Sequence, residues 1–216
     1  MISDDLTGQP RSGPQQPEST AAQLRTDPGA YFDRLHRERL TSWEQQGNFY
    51  EHRKRSIVMA TLPRDRYRSC FEPGCSTGLL TELLAARCEE VLAADVSEAV
   101  LEETVDRLAQ TPGVRIERRL LPLEWPEGRS FDLIVLSDLG YYLDEVSLDH
   151  LVVAAAASLS PGGTLLACHW RHPVADSSLT GDMVHARLRT EPSFEVMTQV
   201  IEQDFIIDVF ETAGEM

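Results

Sequence analysis

The sequence predicts an α/β protein with a mostly parallel sheet of seven strands and an antiparallel hairpin at its C-terminal end. Between residues 69 and 170, short strand-like runs alternate with stretches of helical period, the pattern of right-handed βαβ crossovers. Residues 131–137 (FDLIVLS) are almost continuously apolar, as expected for a strand covered on both faces. Two later strand-like runs, 194–202 and 205–211, lie too close together for a helical crossover and pair as a hairpin.

Residues 1–28 are rich in Pro, Gly, Gln, Ser and Thr and poor in large apolar side chains, so they read as a disordered tail ahead of one domain over 29–216. A short helix over 31–40 carries Tyr31, Phe32, Leu35 and Leu40, and a second over 48–62 is ended by Pro63. Residues 69–72 form the first strand, followed by a glycine turn and a helix bearing Leu79, Leu80, Leu83 and Leu84. The second strand spans 90–95. A helix over 98–110 then turns Val100, Leu101, Val105 and Leu108 inward. The third strand is 114–119 and the fourth 131–137. A helix over 143–159 is stopped by Ser160-Pro161-Gly162-Gly163, and 164–170 (TLLACHW) is the fifth strand. A last helix, 182–189, precedes the hairpin.

The chain has 216 residues, enough for one domain with a substantial core, and a net charge of −15. That acidity, with no basic stripe, argues against nucleic acid and anionic membranes and suits a neutral or cationic small molecule. No apolar run approaches a bilayer span, and the acidic start MISDDLTGQP lacks the features of a secretory signal. Cys70, Cys75, Cys88 and Cys168 show neither CxxC spacing nor a zinc pattern with histidine, so a reduced, cytoplasmic protein without a metal is expected.

In an open α/β sheet, ligands bind beyond the carboxyl ends of the strands. After the first strand stands Glu72-Pro73-Gly74-Cys75-Ser76-Thr77-Gly78. Its glycines let backbone approach a ligand closely, but Ser76 and Leu79 stand where a dinucleotide fingerprint needs glycine. Glu72 would repel a pyrophosphate and attract a cation. Asp95, ending the second strand, can accept hydrogen bonds from both hydroxyls of a ribose.

This turn, Asp95, the Phe131-Asp132 strand and Leu159-Ser160-Pro161-Gly162-Gly163 together resemble the class I S-adenosylmethionine (SAM) dependent methyltransferases, over roughly residues 67–170. Phe49-Tyr50-Glu51, Glu124-Trp125-Pro126, Ser137-Asp138-Leu139-Gly140-Tyr141-Tyr142 and Cys168-His169-Trp170-Arg171-His172-Pro173 resemble the nodulation protein S type. The resemblance implies a Rossmann-like three-layer sandwich that binds SAM and methylates a free amine on a de-N-acetylated amino sugar. It implies cofactor contacts from Glu72, Gly74, Cys75, Ser76, Gly78, Asp95, Val96 and Ser137. It also implies a helix covering the cofactor with Tyr50 and Arg53 facing inward. The loop after the third strand lacks the acid many relatives place against adenine, which leaves a backbone contact near Leu120 or Leu121.

An amine acceptor must lose a proton, so a base or acceptor group is expected near the methyl position. Asp138 can attract a cationic amine, and Tyr141 or Tyr142 can wall the pocket. His169 and His172 are the two candidates for a base or amine-orienting group; strand alternation puts His169 with Arg171 and Trp170 with His172. The alternatives are methylation of oxygen or sulfur, a nicotinamide oxidoreductase, and a non-catalytic SAM-fold binding module. The sequence leaves the oligomeric state open.

Overall fold

The computed structural model describes residues 20–46 and 48–213. Three helices come first: α1 (Thr20–Thr26), α2 (Pro28–Gln46) and α3 (Asn48–Thr61). The first described helix therefore lies inside the segment expected to be a tail, of which residues 1–19 lie outside the described part. Leu24 is buried, and Gln23 accepts a hydrogen bond from Arg34, which docks α1 on α2. The Asp27 carboxylate accepts the Ala30 amide at 3.0 Å, with Pro28 as the first helical residue, so α2 starts earlier and runs longer than its apolar period alone suggested.

The remaining elements follow in βα alternation: β1 (Tyr67–Pro73), α4 (Leu79–Ala85), β2 (Cys88–Asp95), α5 (Glu98–Leu108), β3 (Val114–Arg118) and β4 (Phe131–Ser137). After a 3-10 turn (Gly140–Tyr142) come α6 (Glu145–Ser158), β5 (Leu159–Trp170), α7 (Gly181–Leu188), β6 (Phe194–Ile201) and β7 (Phe205–Thr212). The sheet order is β3-β2-β1-β4-β5-β7-β6. β1 to β5 run parallel, and β7 pairs antiparallel with both β5 and β6. The order reverses between β1 and β4, so ligands are expected at the carboxyl ends of these strands.

Alternating strand residues feed two apolar layers. Phe71, Leu92, Ile134, Leu136, Leu165 and Phe210 pack against α6 and α7, whereas Cys70, Val91, Leu133, Val135 and Leu166 pack against α3 and α4. Two local expectations are corrected. Val105 is 51% exposed, and Thr104 takes the inward position on α5 because its hydroxyl hydrogen-bonds with Ser76 and Val100 carbonyls. β5 begins at Leu159, before the Pro-Gly-Gly turn, because Leu159 pairs with Phe131 and the Gly163 amide donates to the Thr212 hydroxyl. No described helix is long and apolar enough to cross a membrane, and no group of described side chains is arranged to hold a metal.

Candidate active site

The turn after β1 is a backbone construction. The Gly74 and Cys75 amides both donate to the Ala94 carbonyl, at 2.7 and 3.0 Å, tying the turn to β2. Gly74 and Gly78 each have φ of 76°, and Ser76 has φ of 49°. A Cβ at Gly78 would stand 2.7 Å from Thr104 Cγ2, so glycine is required there by both conformation and space. Cys75 is buried and its thiol is pushed up by that burial, which keeps it protonated.

Two carboxylates face this turn. Asp95 accepts the Ser76 amide on Oδ2 and the Ser97 amide on Oδ1, each at 3.0 Å, so it orders both loops before any ligand arrives. A carboxylate has about four lone-pair sites, which leaves capacity for further donors such as ribose hydroxyls. Glu72 is 2% exposed and accepts the Thr81 hydroxyl at 2.6 Å. Burial pushes its carboxyl up to about 8, against the opposing effect of the Thr81 hydrogen bond.

On the other side of the switch point, Asp138 follows β4 with φ of 50°. Its Oδ1 accepts the Trp170 amide at 2.8 Å and the Tyr141 hydroxyl at 3.0 Å, and its Oδ2 lies 2.7 Å from Lys54 Nζ. Lys54 is 6% exposed and also reaches Glu51 at 3.0 Å. Burial alone would strip its proton, but the Asp138 and Glu51 carboxylates hold the ammonium charged. Burial likewise works against the Asp138 charge, and Lys54 holds that carboxyl below the usual range.

Lys54 was passed over in the sequence, where the resemblance implied Arg53 instead. Arg53 is corrected to the surface: its side chain is 42% exposed and lies 2.6 Å from Glu202. The available signal was spacing, since Tyr50, Lys54 and the buried Val58 recur every four residues on one face of α3. Tyr50 does point inward, edge-on to Trp170 with ring centroids 5.3 Å apart. Its hydroxyl is buried and, among the described residues, has no hydrogen-bond partner.

The two candidate histidines sit in opposite environments. His169 is fully buried, Nε2 accepts the Gly140 amide at 3.1 Å, and Nδ1 lies 3.1 Å from His185 Nε2. Burial and the neighbouring His185 push it down to about 3, so it is neutral and out of an acceptor's reach. His172 is on the rim, its side chain 44% exposed and 2.7 Å from Asp204. Tyr141 is buried behind Asp138, and Tyr142 meets Phe32 of α2 edge-on at 4.9 Å.

The same helix reaches the cofactor side. Asp33 accepts hydrogen bonds from the Ser97 hydroxyl and the Ala99 amide, so α2 spans both halves of the site, a role its sequence did not announce. Val96 and Ser137 are half-buried at the ends of β2 and β4. The adenine contact was expected from the backbone near Leu120 or Leu121. The Leu120 amide donates to Glu124 at 2.6 Å, and the Leu121 side chain belongs to the core.

Residues 71–163 match the family model of a methyltransferase domain. A provisionally assigned methyltransferase from Pseudomonas syringae, known as a crystal structure, is 43% identical, with a TM-score of 0.68 over 76% of this chain and 99% of that one. The N-methyltransferase NodS of Bradyrhizobium japonicum WM9, solved with S-adenosyl-L-homocysteine (SAH), has a TM-score of 0.70 at 21% identity, over 79% of this chain and 91% of that one. Nodulation protein S of Sinorhizobium fredii is 27% identical over 139 residues, 61% of this chain and 62% of that protein. The Rhizobium tropici protein of the same name is 25% identical over 126 residues, 57% of this chain and 52% of that protein. The chain thus spans between half and two thirds of the length of these curated relatives.

Proposed function

The chain belongs to the class I SAM-dependent methyltransferases and is similar to nodulation protein S, and from that premise we propose that it methylates a free amine on a de-N-acetylated amino sugar or a related small molecule. The observation that carries this reading is Asp138, an ionised carboxylate at the end of β4 near the buried Tyr50 hydroxyl, which has no hydrogen-bond partner among the described residues. The residues present fit the cofactor. Gly74 and Gly78 take positive φ in the turn beside Asp95, Asp95 retains acceptor capacity for ribose hydroxyls, and Glu72 would take the ammonium of the methionine part. Bound there, SAM supplies a methyl group on sulfonium, open to in-line displacement.

What the chain adds is placement. Asp138 would accept an N–H of the acceptor, and Tyr141, Trp170 and Lys54 hold that carboxylate in one orientation. Asp138 is a weak base because Lys54 keeps its carboxyl low, and His169 is sealed away. An amine arriving neutral needs no strong base before attack, whereas a hydroxyl does, so the site favours nitrogen over oxygen.

The test is methyl transfer from SAM to de-N-acetylated chitotetraose, followed by mass spectrometry, beside the fully N-acetylated tetramer. Methylation of the free-amine sugar alone is expected. Methylation of the N-acetylated sugar at an equal rate would overturn the amine assignment.

A further inference from the structure

Behind the acceptor loop lies a row of buried polar groups that methyl transfer does not touch. The Asp208 side chain on β7 is fully buried and lies 2.8 Å from His185 Nδ1 on α7. His185 is also fully buried, and its Nε2 lies 3.1 Å from His169 Nδ1 on β5. His169 Nε2 in turn meets the Gly140 amide at 3.1 Å.

The chemistry of the two ends decides every proton between them. An ionised carboxylate can only accept, so His185 Nδ1 carries hydrogen. A backbone amide can only donate, so His169 Nε2 is bare and its Nδ1 carries hydrogen. His169 Nδ1–H then donates across the middle contact, so His185 Nε2 is the bare acceptor and the row is consistent from end to end. Asp208 is secured by Gln199 at 2.9 Å and Arg189 at 2.7 Å, which leaves it no reason to turn away.

Packing around the row is equally close. A Cβ on Gly140 would stand 2.6 Å from Val184 Cγ1 and 3.2 Å from His169 Nε2, and one on Gly181 would stand 2.3 Å from the Trp170 carbonyl. Apolar side chains would fill such a space without desolvating a carboxylate and two imidazoles. What they would not provide is an acceptor for the Gly140 amide, two residues beyond Asp138.

We propose that His185 and Asp208 are positioning residues for the acceptor carboxylate. They hold His169 as the Nδ1–H tautomer, whose bare Nε2 accepts the Gly140 amide and sets the turn that carries Asp138 and Tyr141. The proposal rests on the amine-acceptor reading above, yet its first readout is independent of turnover.

In the wild type, nitrogen NMR of the imidazole rings should show His169 protonated at Nδ1 and bare at Nε2; the opposite tautomer would overturn the relay without any variant. His185→Leu should speed Gly140 amide exchange about fivefold or more, the loss of one hydrogen bond, while SAH affinity stays unchanged. With de-N-acetylated chitotetraose the same variant should raise acceptor KM and lower kcat, and His185→Gln, which keeps a donor and an acceptor, should recover part of both. In a His169→Gln background the amide oxygen supplies the Gly140 acceptor directly, so adding His185→Leu should cost little more. A Gly140 amide as protected in His185→Leu as in the wild type would sink the proposal, as would effects that simply add in the double variant. A wild type that methylates no amino sugar would overturn the acceptor reading, and the tautomer and the Gly140 exchange would still decide the relay.

Discussion

Around the ends of β1 and β2 the backbone does most of the holding, whereas around β4 and β5 the site is assembled from side chains on α3, α7 and β7. The first region needs positive φ at Gly74 and Gly78, and Asp95 binds two amides of loops adjoining its own strand end. The second depends on Lys54 meeting Asp138 across 84 positions of sequence, and on a carboxylate on β7 fixing an imidazole on β5 through α7. A backbone site is rigid by conformation. A side-chain site is rigid only while each charge keeps its partner, so the two halves should fail differently.

The largest effect is expected at Lys54. Lys54→Met strands Asp138, and because that carboxylate's side chain keeps 28% exposure the loss should be about 2–3 kcal/mol, below the full cost of a deeply buried orphan. Urea unfolding checks this, and Lys54→Met with Asp138→Asn should regain most of the loss, since no charge is then left unpaired. If the double variant is no more stable than the single, the ion pair does not govern this half.

Gly78→Ala attacks the backbone half. A left-handed alanine costs about 1–2 kcal/mol, and the approach to Thr104 adds to it. SAH affinity should fall about tenfold in titration calorimetry, while the Lys54–Asp138 half is undisturbed. Unchanged affinity would mean the turn does not cradle the ligand.

Glu72 sharpens the comparison through pH. Its carboxyl is raised to about 8 in the ligand-free protein, so it is largely protonated at neutral pH, and an ammonium ligand must drive that proton off. Binding of SAH should therefore release a proton, and affinity should rise as pH increases from 6 towards 8, by at most about tenfold per pH unit. Calorimetry in buffers of different ionisation heat reads the proton, and Glu72→Gln should abolish the dependence. A pH-independent affinity in the wild type would remove Glu72 from the ammonium site.

The smallest effect belongs to Arg53. Its pair with Glu202 is exposed, so Arg53→Ala should leave both stability and SAH affinity nearly unchanged. A large loss of affinity would restore the cofactor role that the sequence suggested for it.

The same division explains what the sequence disclosed. The succession of strands, the glycine turn and Asp95 were legible because their requirements are local: period, φ and the end of a strand. Asp138 was legible from its place after β4. Lys54 was hidden in a run of charges whose usual explanation is a solvated face, although its spacing from Tyr50 and Val58 marks it. His169 was read as a base because a histidine at a strand end attracts that reading. Only the partners on α7 and β7, distant in sequence, reveal a buried neutral ring. The helix over 20–26 was missed because Leu24, its one large apolar residue, gives no period, and its docking depends on α2.

The most direct test of the central claim is methyl transfer to de-N-acetylated chitotetraose by the wild type and by Asp138→Asn, with SAH affinity measured on both. Replacing a charge-assisted contact to the amine should lower kcat/KM for the sugar by about 10–100-fold, with SAH binding unchanged. An Asp138→Asn protein that methylates the sugar as fast as the wild type would contradict the assignment of this carboxylate to the acceptor.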